Sequence, residues 1–446
     1  MTTEESVLIV GGGIAGFQAA LDLAAAGVQV HMVEKSPSIG GRMAQLDKTF
    51  PTNDCAICIL APKMIETYGH KNIHVRTYAE VQKVSGSIGD FQVEILQKAR
   101  FVSEEKCTGC GACMEKCPKK VDSEYEMGLA KRRAIYFPFA QAVPRVATVD
   151  KESCLYFKTG KCLLCVKECQ TGAIDHQMED QVITVDVGAI IVATGFDVYK
   201  PYEMTEYGYG RYDNVLTAME FERIINAAGP TNGHMQRLSE DKGRPKRLAF
   251  IQCVGARDVR HNRPYCSAVC CMHSTKEAML AREHNSDTDS WIFYTDMRAF
   301  GKGFWEYIER GERDYGINFI RGKPGEITED PETKNLTLFY TDREAREVKS
   351  LEVDMVILAT ALIPRADAAH VADTLGIGID QYGFFEAPNK MMPTDTTREG
   401  VYMAGYCQKP MDIPDAVAQG SATAARAMEA MATHPKGGEK AKEVVT

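Results

Sequence analysis

Cysteine is the residue type whose spacing indicates chemistry most directly in this chain. Twelve of the fifteen cysteines fall into three groups of four, whereas thiols that only pack in a core would be scattered. Because tight groups of thiolates bind metal, we expect iron–sulfur clusters rather than a disulfide framework. The groups are Cys107, Cys110, Cys113 and Cys117; Cys154, Cys162, Cys165 and Cys169; and Cys253, Cys266, Cys270 and Cys271.

The first group has the spacing of a bacterial two-cluster ferredoxin, C-x2-C-x2-C-x3-C followed by proline. In that pattern three thiolates hold one [4Fe–4S] cluster and the fourth ligates the other cluster. Zinc ribbons instead use separated pairs of cysteines. The second group has a wider first gap and lacks the proline, so its cluster is the weaker prediction of the two. The predicted ligand sets are Cys107, Cys110, Cys113 and Cys169 for one cluster, and Cys154, Cys162, Cys165 and Cys117 for the other.

The third group does not match a ferredoxin. Twelve residues separate Cys253 from Cys266, and Cys270 and Cys271 are adjacent. Adjacent thiols can also exchange disulfides. The spacing alone therefore leaves two alternatives, an unusual iron–sulfur site and a redox-active thiol pair.

Glycines near the N-terminus predict a dinucleotide-binding β-α-β unit. Residues 6–10 are an apolar run typical of a buried parallel strand, and Gly11, Gly13 and Gly16 follow as G-x-G-x-x-G. The glycines permit a tight turn, close approach of a pyrophosphate, and close packing of the helix on the strand.

The helix after this loop should present free N–H groups to phosphate from its first residues, Ile14 and Ala15. A second strand, residues 28–33, ends at Glu34, where a carboxylate can accept hydrogen bonds from a ribose. Strand, helix and acid in this order predict binding of an adenine dinucleotide.

Later segments favour FAD over NAD. The chain continues from Glu34 through a Gly-Gly-Arg, an extension that resembles the flavoprotein disulfide-reductase superfamily, where it marks FAD. In that superfamily an aspartate follows a late glycine and contacts the flavin side chain, but here Tyr406 follows Gly405. The further candidate FAD residues are Lys35, Gly41, Arg42, Ala193, Thr194, Gly195 and Gly405.

A second nucleotide-type fold is predicted to begin with a strand in residues 247–258. A helix at 272–283, a strand at 290–296 and a helix near 303–311 complete the α/β pattern. Where G-x-G-x-x-G would stand, the chain reads Gln-Cys-Val-Gly-Ala-Arg. We therefore predict a nucleotide fold that has lost its nucleotide.

Composition places the chain among globular proteins with several domains. Its 446 residues are more than one domain with a single hydrophobic core usually contains. Of these residues, 44% are hydrophobic and 25% are charged. The sequence contains no run of 18 apolar residues, so no membrane span is predicted. Its first residues include acidic ones, at positions where a signal peptide would carry basic residues. A net charge of -9 argues against binding nucleic acid. A cytoplasmic location is the expectation.

The expected fold is α/β, with two Rossmann-like domains and an inserted ferredoxin-like domain. The expected segments are 1–100, first part of the FAD domain; 101–180, ferredoxin-like insert; 181–240, FAD-domain strand and linker; 241–352, NAD(P)-like domain with the third cysteine group; 353–430, last part of the FAD domain; and 431–446, mobile tail.

Four segments together resemble one family. They are FPTNDCAICILAPKM at 50–64, CTGCGAC at 107–113, CVGARD with RPYCSAVCCMHSTKEA at 253–278, and AGYCQKPMDIPDAVAQGSATAARA at 404–427. The combination resembles the A subunits of heterodisulfide reductase and of the quinone-interacting membrane-bound oxidoreductase of sulfate reducers.

This resemblance implies a thioredoxin-reductase-like flavoprotein fold that holds FAD and three [4Fe–4S] clusters, the third being non-standard at Cys253, Cys266, Cys270 and Cys271. It implies an electron-transfer subunit of an oxidoreductase, with electron bifurcation as a hypothesis. The implied partners are B- and C-like or quinone-oxidoreductase subunits and a hydrogenase or dehydrogenase donor, in a hetero-oligomer that reaches membranes only through partners. The alternatives are a self-sufficient NAD(P)H oxidoreductase and a scaffold with purely structural clusters.

Three cysteines and one lysine remain. Cys55 and Cys58 form a C-x2-C, interpreted as structural or flavin-adjacent, with partial ligation and a redox pair as alternatives. Cys407 is expected to pack in the core. Lys409 is a weak catalytic candidate, since a cation near the isoalloxazine would favour reduced flavin, and a solvated loop lysine is the equal alternative.

Overall fold

The computed structural model describes residues 6–343 and 345–435. The described residues form two compact units. The first comprises those within Met1–Ala44, Ile59–Phe196 and Pro364–Thr446, and the second comprises Gln45–Cys58 and Asp197–Ile363.

A parallel five-stranded sheet forms the centre of the first unit. Strand Ser6–Val10 lies in the middle because its apolar side chains are buried on both faces. Helix Ile14–Ala25 connects it to the next strand, and helix Ile413–Thr433 packs on that helix. The predicted β-α-β unit is confirmed. The strand order is Val401–Met403, Ala189–Val192, Ser6–Val10, Gln29–Glu34 and Ile73–Thr77.

The FAD-domain strand expected at the start of segment 181–240 is divided in two. Gln181–Val187 pairs in an antiparallel sheet, and Ala189–Val192 joins the parallel sheet. Gly188 separates them, where a Cβ atom would lie 2.7 Å from Cγ of Met431. The antiparallel sheet has the order Gln181–Val187, Asp90–Gln97 and Ala79–Ser87.

The segment between these strands has its own small core. Buried residues from Ala99 to Ile174 form one cluster, and six of the eight ferredoxin-type cysteines lie in or against it. Its regular elements are short. They are helices Ala112–Lys116, Leu155–Thr159 and Leu164–Glu168, and strands Lys120–Asp122, Lys131–Arg133, Ile135–Tyr136 and Thr148–Val149.

The second unit repeats the parallel arrangement. Helices Cys270–His284 and Phe304–Tyr315 follow its first two central strands, as predicted. An antiparallel sheet of Pro324–Glu329, Leu336–Asp342 and Glu347–Val353 accompanies it. The parallel strand order is Val215–Thr217, Met355–Thr360, Arg247–Val254, Asp289–Tyr294 and Asn318–Arg321.

The prediction of a linker in the later part of segment 181–240 is wrong for some of its residues. Strand Val215–Thr217 joins the second sheet, and all eight residues of helix Ala218–Ile225 are buried. Thr217 and Glu220 form a reciprocal capping box at its start. The helix buries Glu222 and Arg223, and such charges in a sequence normally indicate an exposed face.

The tail expected at 431–446 begins too early, because helix Ile413–Thr433 includes its first residues. Residues 436–446 lie outside the described residues. Among the described residues, none of the helices combines the length and apolar character that crossing a bilayer requires.

Candidate functional site

The glycine loop is closed by backbone contacts that exclude side chains. Gly11 has φ +115°, and a Cβ atom there would lie 2.3 Å from the carbonyl oxygen of Ala193. A Cβ atom on Gly16 would lie 2.1 Å from the carbonyl oxygen of Gly11. Both positions therefore require glycine, for the turn and for helix packing respectively.

The start of helix Ile14–Ala25 is open. Gly13 is its N-cap and has no side chain to cap it, and nothing lies within 4 Å of where its Cβ would be. The first N–H groups of a helix have no partner within the helix, and the helix dipole favours an anion there. Ile14 and Ala15 thus begin a helix suited to the pyrophosphate of a dinucleotide.

The Gly-Gly-Arg segment lies against this opening. A Cβ atom on Gly41 would lie 3.0 Å from Cα of Gly13, and Gly40 N–H donates to Gly12 O at 2.8 Å. Nε of Arg42 lies 3.5 Å from the carbonyl oxygen of Phe196. The structure thus brings the two glycine motifs together.

Glu34 anchors the loop as well as ending the second strand. Its Oε2 accepts from Gly12 N–H at 2.7 Å, and its Oε1 accepts from Ser36 N–H at 2.8 Å. Lys35 points elsewhere, since its Nζ lies 2.8 Å from Asp367 and 3.5 Å from Glu80. Burial opposes the charge of Lys35, but the hydrogen bond to Asp367 and both carboxylates raise its pKa overall.

Two further candidate segments reach the same loop. Ala193, Thr194 and Gly195 begin with the carbonyl that Gly11 approaches. Gly405, at φ +80°, would place a Cβ atom 3.1 Å from Cβ of Ala15. The candidate FAD residues other than Lys35 therefore surround one helix start.

The residues after Gly405 are aromatic or buried. Tyr406, at the position of the superfamily's aspartate, packs with its ring centroid 4.5 Å from that of Phe196. Cys407 is buried, with Sγ 3.2 Å from the carbonyl oxygen of Ala404. Burial raises the pKa of its thiol to about 11, although hydrogen bonds from the backbone at Thr194 and Gly195 lower it in part. Lys409 is exposed.

The thiols of the two ferredoxin-type groups lie close enough to interact electrostatically. Burial, together with the charges of neighbouring thiols, raises the pKa of Cys113 to about 12. Those neighbours are Cys107, Cys165, Cys110 and Cys169. Burial likewise raises the pKa of Cys165 to about 11, with contributions from Cys154, Cys117 and Cys162.

The loop geometry explains this convergence. Gly109 and Gly111, between the first cysteines, have φ +68° and +84°, so the chain turns tightly around the thiols. A small cavity lies at the second set, with Pro118, Lys119 and Ile135 among its lining. The four cysteines that line it are Cys117, Cys154, Cys162 and Cys165.

The third group converges at the first turn of the second parallel sheet. Cys253 is at the end of strand Arg247–Val254, and Cys270 and Cys271 begin the following helix. Burial raises the pKa of Cys270 well above its usual value, and the thiols of Cys253, Cys271 and Cys266 add to this. Four sulfurs from 19 residues of sequence are therefore electrostatic neighbours.

Cations accompany this group. Lys323 Nζ donates to the carbonyl oxygen of Cys253 at 2.7 Å, and Arg257 Nη2 lies 2.7 Å from Asp296. The hydrogen bond to Asp296 and the charge of Cys253 raise the pKa of Arg257. Sequence reasoning missed Lys323, because 70 residues separate it from Cys253 and no motif links them.

Cys55 and Cys58 form a disulfide, with Cα atoms 5.3 Å apart. Cys55 immediately precedes helix Ala56–Gly69, and its Sγ accepts from Cys58 N–H at 3.3 Å. Neither thiol is available as a metal ligand in this state.

Family models agree with these two kinds of site. A model described as FAD dependent oxidoreductase matches residues 6–95, which contain the glycine loop and Gly-Gly-Arg. A model described as 4Fe-4S binding domain matches residues 101–121, which contain the first cysteine group. Together with the open helix start and the converging thiols, they support FAD and iron–sulfur clusters as cofactors.

Curated relatives match nearly the whole chain. The second iron–sulfur A subunit of CoB–CoM heterodisulfide reductase from Methanopyrus kandleri is 53% identical over 96% of this chain and 64% of its own length. The A subunit of the H2:CoB-CoM heterodisulfide,ferredoxin reductase of Methanothermobacter marburgensis is 49% identical over 96% and 64%. The chain thus spans somewhat less than two thirds of these relatives.

Solved structures support the fold. Thioredoxin reductase of T. acidophilum superposes with a TM-score of 0.51 at 16% identity, covering 96% of this chain and 99% of that one. The Lactococcus lactis enzyme gives 0.53 at 15% identity, with the same coverage. The predicted thioredoxin-reductase-like α/β fold is confirmed.

Proposed function

Because the chain belongs to the family of heterodisulfide reductase A subunits, we propose that it is an electron-transfer subunit carrying one FAD and three [4Fe–4S] clusters. The observation that carries this proposal is the proximity of twelve free thiols, eight of them in the ferredoxin-type segment and four at the turn of the second parallel sheet. The open start of helix Ile14–Ala25 provides the flavin site in the first unit.

In this proposal each cluster has its own ligand set. FAD exchanges electrons in pairs or singly, whereas a [4Fe–4S] cluster exchanges them singly, so the two link different steps. The chain holds the groups and tunes them, and the cations Lys323 and Arg257 offset thiolate charge at the third set. The sets are Cys107, Cys110, Cys113 and Cys169; Cys154, Cys162, Cys165 and Cys117; and Cys253, Cys266, Cys270 and Cys271.

We assign the flavin site to the glycine loop and the segments around it. N–H groups at Gly13, Ile14 and Ala15 would bind the pyrophosphate, and Glu34 keeps an acceptor position on Oε2 for a ribose hydroxyl. Tyr406 replaces the superfamily's aspartate, so the flavin side chain would depend on backbone groups near Gly195 and Gly405. Lys35 is omitted because its ammonium faces Asp367.

The chain would act within a larger assembly. Its relatives' names include CoB-CoM heterodisulfide, ferredoxin and H2. We propose B- and C-like or quinone-oxidoreductase subunits as partners, with a hydrogenase or dehydrogenase as donor. Electron bifurcation is part of this proposal only in such an assembly, because it requires two different acceptors for the two electrons of the flavin.

The alternative, a self-sufficient NAD(P)H oxidoreductase, has less support. Cys253 and Arg257 stand in the turn where a phosphate loop would place glycines, and Lys323 holds the backbone of that turn. Anaerobic addition of NADH or NADPH to the protein should leave the flavin absorbance unchanged. Bleaching at 450 nm would favour the alternative.

Cofactor content tests the proposal directly. Protein prepared without oxygen should contain about twelve iron atoms, about twelve sulfides and one FAD per chain. Redox titration followed by electron paramagnetic resonance should then show clusters that are reduced and reoxidised at accessible potentials. Clusters with a purely structural role would not be reduced in that range. Zinc in place of iron, or disulfides within the three sets, would contradict it.

A further inference from the structure

Three side chains that can bind metal converge inside the second unit, apart from its cysteines. Glu222 lies on helix Ala218–Ile225, and His273 and Glu277 lie one turn apart on helix Cys270–His284. One ligand atom of each lies within 4.8 Å of the others. Both glutamate side chains are fully buried, and 13% of the His273 side chain is exposed.

Among the described residues, Glu277 lies in an ion pair with His273 but accepts no hydrogen bond. Neither of its carboxylate oxygens accepts a hydrogen bond from the residues that the structure describes. His273 Nε2 lies 3.2 Å from its Oε1, but that contact does not have hydrogen-bond geometry. A buried carboxylate is strongly unfavourable unless a cation or donor compensates it.

Glu222, by contrast, is already neutralised. Its Oε2 accepts from Asp47 N–H at 2.8 Å, and its Oε1 contacts Nζ of Lys276. Lys276 is itself held by the carbonyl oxygen of Lys48 at 3.0 Å. Lys276 therefore contacts Glu222 directly, whereas it acts on Glu277 only through its charge and donates no hydrogen bond to it.

We propose that Glu222, His273 and Glu277 bind one divalent first-row transition-metal ion, distinct from cluster iron. His273 Nε2 lies 3.2 Å from Glu277 and 3.5 Å from Glu222. Ligand atoms bound about 2.1 Å from one ion lie roughly 3.0–3.4 Å apart, so the two separations from His273 are already close to those of a bound ion.

The donor set selects the class of ion. Two carboxylates and one imidazole suit Mn²⁺, Fe²⁺ or Zn²⁺, whereas Mg²⁺ and Ca²⁺ prefer oxygen alone. The ion would join helix Ala218–Ile225 to helix Cys270–His284, whose first residues are Cys270 and Cys271. It would therefore fix the helix that carries two ligands of the third cysteine set.

Mn²⁺ is the probe, because its free-ion paramagnetic signal disappears on binding and it does not enter iron counts. Cluster-loaded protein, treated with EDTA and desalted anaerobically, should bind one Mn²⁺ per chain. Glu277→Gln and His273→Gln should each weaken this binding at least tenfold. Glu283→Gln, on the same helix but in an exposed pair with Lys48, should bind as the native protein does.

Thermal unfolding separates this proposal from an ordinary ion network in which protonated His273 bridges the two glutamates. If the site binds an ion, Glu277→Gln should raise the melting temperature of the metal-free protein, because it removes a buried charge that accepts no hydrogen bond. Glu277→Gln should also abolish the increase in melting temperature that Mn²⁺ causes in the native protein. Native protein that binds no Mn²⁺, or a Glu277→Gln protein that binds it equally well, would overturn the proposal. If Glu277→Gln does not fold, His273→Gln decides by the same measurements.

Discussion

The two parallel sheets have the same strand arrangement but different first turns. In each, a central buried strand leads through a turn and a helix to the neighbouring strand. In the first unit, Gly11 to Gly16 form the turn and leave the helix start uncovered. In the second, Cys253 is the penultimate residue of strand Arg247–Val254, and Cys270 begins the helix.

The difference lies in what the turn presents. Three glycines present backbone N–H groups, and any Cβ at Gly11 or Gly16 would collide with a carbonyl oxygen. The second turn presents side chains, and Cys253 adopts φ +57° to do so, a conformation that non-glycine residues adopt at a cost. One framework can thus offer hydrogen-bond donors to a phosphate or thiolates to iron.

The largest expected effect comes from removing a thiol of the second turn. Cys253→Ala should lower the iron content from about twelve to about eight atoms per chain while FAD stays bound, because the sites are separate. Cys407→Ala, which removes a buried thiol outside the three sets, should keep all the iron. Iron and flavin assays on anaerobic protein measure both. Loss of flavin with unchanged iron would break the comparison.

Changes in the first turn should have the converse effect. Gly13→Ala meets no protein atom within 4 Å, so the fold should persist, but the methyl group would stand where the pyrophosphate approaches. We expect FAD affinity to fall at least tenfold, which is about 1.4 kcal/mol, with iron unchanged. Gly69→Ala, equally unobstructed but at the end of another helix, is the matched control. Equal FAD affinity in both variants would refute the assignment.

Helix starts extend the comparison. Neither Gly13 nor Val269, the N-caps of the two turn helices, makes a side-chain cap, whereas Thr217 accepts from Glu220 N–H at 3.3 Å. Thr217→Ala should therefore lower the free energy of unfolding by about 1.5 kcal/mol. Thr217→Ser, which keeps the hydroxyl, should recover most of it. Denaturant unfolding measures both, and equal stability of the two variants would show that the cap contributes nothing.

Much of this molecule could be predicted from local patterns. The first β-α-β unit has its glycines, its apolar strand and Glu34 within 34 residues, and the ferredoxin spacing predicts that the eight thiols of residues 107–169 lie near one another. Helix Ala218–Ile225 could not be predicted in the same way. Its buried Glu222 and Arg223 find partners about 175 residues away, at Asp47 and Gln45.

The same limit applies to Lys323 and to the Glu222, His273 and Glu277 cluster. Their contacts depend on which elements of the second unit pack together, and hydrophobic periodicity does not encode that. Lys35 shows the opposite error. It follows the acidic strand end, as a cofactor residue would, but Asp367 lies within reach only after folding and takes its ammonium.

The smallest expected effect distinguishes the second strands of the two sheets. At the third paired position the first sheet has His31 and the second has Trp291. Burial, together with the charges of Arg76 and His74, lowers the pKa of His31 to about 4. Between about pH 6.5 and 4, His31 is therefore protonated in the unfolded chain but neutral in the folded chain.

The free energy of unfolding should therefore fall as the pH decreases from about 6.5 to 4, by less than about 1 kcal/mol because His31 is only partly buried. His31→Gln should remove this part of the pH dependence and leave the rest. Unfolding at several pH values in both proteins measures the difference. Identical slopes would mean that the histidine is as free to ionise in the folded first sheet as in the unfolded chain, and that the two sheets do not differ in this respect.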